Sequence, residues 1–220
     1  MTHNEDHRHD TGQTTRITLV RHGEVHNPDG IIYGRLPGFG LSERGRQQAQ
    51  AAAEALRDQR VDALYVSPQP RARETAQFML EAHPHLDIVV SPLLDEVLSA
   101  FEGRSFKEAA ACDWNIYAET DGEAETPQQI SDRAARFIRA ARASHPGQHV
   151  VAVTHGDIIT FALLWAMGEP PDPALKRSLT RFGITDGYPA PASLTTFVYH
   201  SNDPDERPEI LYLRPYDLGT

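Results

Sequence analysis

Short apolar runs alternate with segments of helical periodicity along most of this chain. The apolar runs lie at residues 17–20, 63–66, 88–90, 149–153, 194–199 and 210–213. Helical patterns lie between most of them, at residues 43–57, behind Pro70, behind Thr126-Pro127 and at residues 158–167. Strands that alternate with helices build βαβ units, in which helices cover both faces of a mainly parallel sheet. The pattern therefore predicts an α/β fold, a three-layer α/β/α sandwich with a doubly wound sheet.

The end of the chain departs from this alternation, because the last two predicted strands follow each other without a helix. One strand of the otherwise parallel sheet is therefore expected to run antiparallel. The chain has 220 residues, and single hydrophobic cores stop growing at roughly 250–300 residues. We expect a disordered polar tail over residues 1–15 and one domain over residues 16–220, with a cap-like insert around residues 104–125.

Composition argues against several classes of protein. The formal charge of −10 disfavours a nucleic-acid-binding surface, although a local pair of arginines still attracts an anion. No apolar run approaches the ~20 residues of a membrane helix, and the polar N-terminus shows no signal peptide. The one cysteine, Cys112, excludes a disulfide framework. We therefore expect a cytoplasmic protein that binds neither nucleic acid nor membranes, and we leave open whether it forms homo-oligomers.

Polar side chains cluster where three of the predicted strands end. Arg21-His22-Gly23 follows the first strand, Ser67-Pro68 and Arg71 follow the second, and His155-Gly156 follows the strand at residues 149–153. Ligands bind beyond the carboxyl ends of the strands in sheets of this kind. A glycine after each histidine lets the backbone turn sharply and approach a ligand closely. Two histidines and two arginines are therefore expected at one edge of the sheet.

These residue types suit phosphoryl transfer through a covalent histidine. A neutral imidazole is a competent nucleophile near pH 7. Arginine forks can hold the negative equatorial oxygens of the transition state without a metal ion. A carboxyl group is then needed to protonate the leaving oxygen and later to activate water.

The motifs resemble those of the histidine phosphatase superfamily, also called the phosphoglycerate mutase-like family. The matching segments are Leu19-Val20-Arg21-His22-Gly23-Glu24, Leu41-Ser42-Glu43-Arg44-Gly45, Ser67-Pro68 with Arg71-Ala72 and Thr75-Ala76, and Thr154-His155-Gly156. The resemblance runs from about residue 16 to residue 168. It implies the α/β/α fold already predicted and phosphoryl transfer through a histidine, and we expect no metal or cofactor.

The resemblance also implies a role for each matching residue. His22 would be the phosphorylated nucleophile, and Arg21, Arg71 and His155 would form the phosphate pocket. Arg71 is preferred to Arg73, because Arg71 precedes the alanine of the motif, so Arg73 is expected on the helix surface. The proton donor would be Glu96 of Leu94-Asp95-Glu96.

Other matches are weaker. The spacing from Glu96 to Glu102 is one residue shorter than the family pattern, which leaves Asp95 as an alternative acid. Asn27, Gly34 and Gly156 are expected to bind substrate.

The substrate is expected to be a small phosphorylated metabolite. The insert lacks the paired cations that a mutase uses for a second acidic group, and it ends in Glu119, Asp121, Glu123 and Glu125. We therefore favour a phosphatase over a mutase-type phosphotransferase or a phosphohistidine phosphatase. A non-catalytic phosphate-binding module and a metal hydrolase remain as alternatives. Trp114 and Tyr117 are expected either to line the substrate pocket or to pack the insert onto the domain.

Overall fold

Six strands form one sheet in the computed structural model, which describes residues 14–117 and 124–216. The strands are β1 (Thr15–Arg21), β2 (Ala63–Val66), β3 (Ile88–Val90), β4 (His149–Thr154), β5 (Leu194–Tyr199) and β6 (Glu209–Leu213). Their order across the sheet is β3-β2-β4-β1-β5-β6. The first four in this order are parallel, and β5 runs antiparallel to both of its neighbours. The predicted mainly parallel sheet with one antiparallel strand is confirmed.

Helices cover both faces of the sheet. The helices are α1 (Glu43–Leu56), α2 (Pro70–Ala82), α3 (Phe106–Ala111), α4 (Pro127–Ser144) and α5 (Gly156–Ala166). One core cluster joins α1 and α2 to Val151 and Val153 of β4. The other core cluster joins α4 and α5 to Val150 and Ala152, which point to the opposite face of that strand. These two clusters make the three predicted layers.

Capping side chains mark the starts of two of these helices. The Ser42 hydroxyl accepts from the amide of Gly45 at 3.0 Å and so caps α1. Thr126 closes a capping box at the start of α4, where Pro127 takes the first helical position. Each of these side chains satisfies a backbone N–H that the helix itself leaves unpaired.

Three boundaries differ from the sequence prediction. Thr15, predicted to lie in the tail, is buried and opens β1, because it pairs with Tyr199 and its hydroxyl accepts from Gly147. Helix α5 begins at Gly156 instead of residue 158, so His155 is its N-cap. Helix α3 lies in the insert, for which no helical pattern was identified in the sequence, and a Ser105 capping box marks its start.

Parts of the predicted tail and insert, residues 1–13 and 118–123, lie outside the described residues. None of the helices within the described part of the chain is long and apolar enough to span a bilayer.

Candidate active site

The two histidines that follow β1 and β4 face each other. These strands are parallel neighbours with Arg21 opposite Thr154, so the next residue of each strand is His22 or His155. The two imidazole rings lie with their centroids 5.2 Å apart. The His22 amide continues the ladder by donating to the Thr154 carbonyl at 2.9 Å. The strand-His-Gly repeat thus brings both rings to one edge of the sheet.

His22 is held with one ring nitrogen free to act as a nucleophile. Its Nδ1 lies 2.7 Å from the Gly23 carbonyl, which accepts only, so Nδ1 carries the proton. Its Nε2 accepts from Nε of Arg71 at 3.3 Å. Burial, assisted by the positive charge of Arg71, holds the pKa of His22 well below its ordinary value. The ring is therefore neutral at pH 7, with its lone pair on Nε2.

Gly23 has no room for a side chain, because a Cβ there would lie 2.3 Å from the carbonyl oxygen of Gly45. Its amide donates to the Thr75 hydroxyl at 3.1 Å. The predicted motifs around Gly45 and Thr75 therefore pack against the nucleophile's own turn and fix its position.

Arg71 is fully buried and lies at the centre of the cluster. One terminal nitrogen, Nη2, donates to the Gly34 carbonyl at 2.8 Å and lies 3.1 Å from Oε2 of Glu96. The other, Nη1, is buried and has no hydrogen-bond partner among the described residues. A buried unpaired donor is costly. Such a donor beside a nucleophile is suited to an anionic ligand.

Glu96 lies between Arg71 and His155. Its Oε2 is 3.1 Å from Nδ1 of His155, whose other nitrogen is 2.7 Å from the Ser67 hydroxyl. Burial disfavours the charged carboxylate, but the neighbouring His155 and Arg71 outweigh this effect and hold the pKa of Glu96 well below its usual range. The pKa of His155 is also lowered, in this case by burial, and the Glu96 carboxylate opposes the shift.

Asp95 points elsewhere than its neighbour. Its Oδ1 accepts from the Gln69 side chain at 2.7 Å and from the Glu96 amide at 2.8 Å. Its Oδ2 lies 3.5 Å from Nε of Arg35. The geometry thus favours Glu96 over Asp95 as the carboxyl group that meets the two histidines.

Arg21 approaches the same cluster from the end of β1. Its Nη1 donates to the Pro189 carbonyl at 2.8 Å, and its guanidinium lies 5.3 Å from the centre of the Tyr188 ring. Its Nε is a second buried donor without a partner among the described residues. Arg73, in contrast, is exposed on the surface of α2, as predicted.

The three predicted substrate-binding residues lie around this cluster in different ways. Gly34 has a positive φ of 42°, and a Cβ there would lie 2.2 Å from the Glu102 carboxylate. Gly156 begins α5, beneath the hydroxyl of Tyr188. Asn27 bonds both of its amide atoms to the backbone of Ile31, so it braces its own loop at the rim.

Sequence reasoning missed a buried polar group next to the phosphate cluster. Lys176 lies 2.8 Å from the Asp157 carboxylate and donates to the Tyr117 hydroxyl at 2.7 Å. Tyr117 and Tyr188 both donate to Asp157. Burial and the Asp157 charge hold the pKa of both tyrosines well above the ordinary value, so their hydroxyls stay protonated. Asp157 directly follows His155-Gly156, and Tyr117 was considered for the pocket or for packing, whereas Lys176 and Tyr188 carry no sequence signal.

A cavity of about 830 Å³ opens from this cluster. Arg21, His22 and Glu96 line one end, and Trp114 lines the wall that comes from the insert. Tyr117 instead packs edge-on against Phe161 of α5, with ring centroids 5.5 Å apart. Of the two aromatic residues considered for the pocket, Trp114 lines it and Tyr117 anchors the insert.

The acidic end of the insert was expected to repel a doubly anionic substrate if it lay near the mouth of the site. Within this segment, Glu125 accepts from Arg133 at 2.7 Å and from Arg35 at 3.0 Å. Arg133 also donates to the Asp95 carbonyl at 2.7 Å. Glu125 is therefore neutralised and braces the loop that carries the candidate acid. The other acidic residues of this segment, Glu119, Asp121 and Glu123, lie outside the described residues.

A metal ion is poorly accommodated. Ligand atoms of His22, Glu96 and His155 lie within 4.8 Å of one another, which is close enough for a shared ion. However, Arg71 nitrogens lie 3.1 to 3.3 Å from atoms of all three. A buried guanidinium among the ligands repels a cation and attracts an anion.

A family model and several known proteins are similar to this chain. Residues 17–202 match the family model of the histidine phosphatase superfamily (branch 1). The uncharacterized protein Rv0525 of Mycobacterium tuberculosis is 34% identical over 94% of this chain and 99% of its own length. A metal-independent phosphoserine phosphatase of Arabidopsis thaliana is 31% identical over 67% of this chain and 66% of its own. The mycobacterial glucosyl-3-phosphoglycerate phosphatase Rv2419c superposes with a TM-score of 0.71 at 24% identity, covering 90% of this chain and 97% of that one.

Proposed function

Because the chain belongs to the histidine phosphatase superfamily (branch 1), we propose that it is a metal-independent phosphomonoesterase with a phosphohistidine intermediate. One observation carries this proposal: three side chains meet at one buried position. They are the neutral His22, Arg71 with an unpaired N–H, and the carboxylate of Glu96. Its substrate would be a phosphorylated small molecule, and it would act in the cytoplasm, where the lone Cys112 stays reduced.

In the first step, Nε2 of His22 attacks the phosphorus atom. The N–P bond forms as the bond from phosphorus to the ester oxygen breaks. The leaving oxygen takes a proton from Glu96, and the alcohol departs. The ring proton stays on Nδ1 of His22, from which it is hydrogen-bonded to the Gly23 carbonyl. The guanidinium groups of Arg21 and Arg71 stabilise the charge on the three equatorial oxygens.

Glu96 must be protonated before it can act as an acid, although its pKa is low in the empty site. His155 and, after it, Arg71 hold this pKa down, and a phosphate dianion bound against Arg71 neutralises one of these charges and adds a like charge next to the carboxylate. Both effects raise the pKa of Glu96. Substrate binding itself thus supplies the protonated form.

In the second step, the Glu96 carboxylate takes a proton from a water molecule, which attacks the phosphorus. The N–P bond breaks, so neutral His22 and inorganic phosphate are formed. Hydrolysis is favoured over transfer to a second anionic substrate, because the Lys176 charge that borders the cavity is already paired with Asp157.

Turnover of p-nitrophenyl phosphate with and without a chelator tests the proposal. Activity that resists the chelator, together with an acid-labile, alkali-stable phosphoprotein trapped during turnover, is the expected result. His22→Ala should abolish both, whereas His200→Ala, which removes an exposed histidine paired with Glu209, should affect neither. Turnover that disappears with the chelator would instead support the metal hydrolase. A folded protein that binds phosphate without turnover would support the binding module.

A further inference from the structure

The cavity extends well past the residues that would hold the phosphoryl group. We propose, resting on the phosphatase function above, that the substrates are phosphomonoesters whose alcohol portion carries an aromatic ring. This ring would bind in the far part of the cavity, here called the aryl pocket, which is formed by Ile32, Val97, Phe106, Trp114, Ile116 and Arg177.

The size of the cavity favours a large leaving group. Ligand pockets of roughly 300–1,000 Å³ hold drug-sized molecules, and this one measures about 830 Å³. An ester the size of phosphoserine has about eleven non-hydrogen atoms, so even at the roughly 30 Å³ that one water molecule occupies in the liquid for each of them, it would fill at most about 330 Å³. A small substrate would leave most of the apolar wall in contact with water.

The chemistry of the wall favours an aromatic group. Phe106 and Trp114 pack against each other with ring centroids 5.7 Å apart and their planes inclined by 48°. The guanidinium of Arg177 lies 4.9 Å from the centre of the Trp114 ring. Planar groups arranged in this way offer stacking and edge contacts to a ligand ring. Phe106 is 40% exposed, so an aromatic surface is available at the cavity.

The charges argue against a second acidic group on the substrate. Lys176 and Asp157 line the cavity but neutralise each other at 2.8 Å. Arg177 makes no ion pair among the described residues, so it is one cation that borders the aryl pocket, with its guanidinium against the Trp114 ring. A single guanidinium held on an aromatic ring lacks the second cation that would offset the desolvation of a carboxylate or a second phosphate.

Both walls of the aryl pocket are tied to the phosphate site. Phe106 donates its amide to the Gly30 carbonyl at 2.8 Å, and Ile32 donates to Arg104 at 2.7 Å, next to the loop that carries Gly34. On the other side, the buried Lys176 pair fastens the segment of Arg177 to the start of α5. A pocket formed before binding loses little affinity to ordering.

A pair of esters with equally basic leaving alcohols separates ring binding from chemistry. The kcat/KM for 3-phenylpropyl phosphate is expected to exceed that for propyl phosphate by ~5- to 150-fold, from the ~1–3 kcal/mol of stacking on an aromatic side chain. Trp114→Ala should remove most of this ratio. Trp165→Ala should keep it, because Trp165 lies on α5 outside the cavity lining. A ratio near one in the active wild type would overturn the aryl pocket and leave the phosphatase intact.

Binding without turnover gives a second readout. The chain has two tryptophans, so Trp165→Phe leaves Trp114 as the one fluorescent indole. Titration with 3-phenylpropylphosphonate should change the Trp114 emission, with a Kd at least ~10-fold below that of propylphosphonate. This preference in a protein that hydrolyses no ester would support the aryl pocket while refuting the phosphatase. Equal affinities for the two phosphonates would refute the pocket whatever the activity.

Discussion

Arg71 offers the sharpest test of the proposed chemistry, because α2 also carries a matched control. Arg71→Ala removes a fully buried guanidinium that contacts His22, Gly34 and Glu96. Arg73→Ala removes an arginine two residues later that is exposed to solvent. The helix, the residue type and the change in charge are the same in both variants.

The size of the effect follows from the donors that Arg71 presents. Loss of one preorganised donor costs ~2.7–4 kcal/mol of transition-state stabilisation, or ~10²–10³ in rate. Arg71 directs Nε towards Nε2 of His22 and keeps Nη1 unpaired. We therefore expect kcat/KM to fall by at least ~10²–10³ in Arg71→Ala, and by less than about threefold in Arg73→Ala.

The same substitution should change the protonation of Glu96. Arg71 is one of the charges that lower the pKa of this carboxyl, so its removal raises that pKa. Arg71→Lys retains the charge but has no planar fork to reach the Gly34 carbonyl and His22 together. It is expected to recover only part of the activity.

The assay is steady-state hydrolysis of p-nitrophenyl phosphate and an alkyl phosphate, with circular dichroism and thermal melting to establish folding. A folded Arg71→Ala protein within about tenfold of wild-type kcat/KM would refute the assigned role. Equal defects in Arg71→Ala and Arg73→Ala would do the same.

Three further substitutions test separate features of the molecule. Glu96→Gln should slow cleavage of alkyl phosphates by ~10²–10⁴. The defect should be smaller in single turnovers of p-nitrophenyl phosphate, because its leaving group needs little protonation. If Asp95→Asn gives this pattern and Glu96→Gln does not, Asp95 is the acid. Gly156→Ala places a Cβ 2.3 Å from the Tyr188 hydroxyl and 2.6 Å from Cζ of the same ring, so the ring must shift and KM should rise; no change in KM would show that the contact is irrelevant. Burial lowers the pKa of His149 to about 4, below the unfolded value, so its contribution to stability is present above pH 6.5 and is lost as the pH falls towards 4. Between pH 7 and pH 5, the free energy of unfolding of His149→Gln should therefore fall by ~2 kcal/mol less than that of the wild type, as measured in denaturant melts. Equal decreases in the two proteins would contradict the assignment.

Much of the architecture could be predicted from local sequence. The alternation of short apolar runs with amphipathic segments determines the layers, because each element must bury its apolar face. Ser42 and Thr126 mark helix starts because their hydroxyls satisfy free amides within three residues. The strand-His-Gly repeat places His22 beside His155, since the ends of neighbouring parallel strands meet at one edge.

The remaining features depend on side chains that meet from distant parts of the chain. Glu96 and Asp95 are adjacent and chemically alike, and only the packing of their loop turns one towards His155 and the other towards Gln69. The direction of a side chain in an irregular loop is set by tertiary contacts, because no repeating backbone geometry dictates it.

The residues at the far end of the cavity also come together only through tertiary contacts. Asp157 and Lys176 form their ion pair across nineteen positions, and Phe106 and Trp114 become a wall only when α3 docks on the loop at Gly30. Lys176 and Phe106 have no periodic or motif spacing that marks them for binding, and the sequence left open whether Trp114 lines the pocket or packs the insert. Asp157 follows the His155-Gly156 motif, but nothing in the sequence pairs it with Lys176. Local sequence determines which segments are strands and helices and which side chains stand at the end of each strand, whereas the shape and charge of a pocket arise where separate loops pack together.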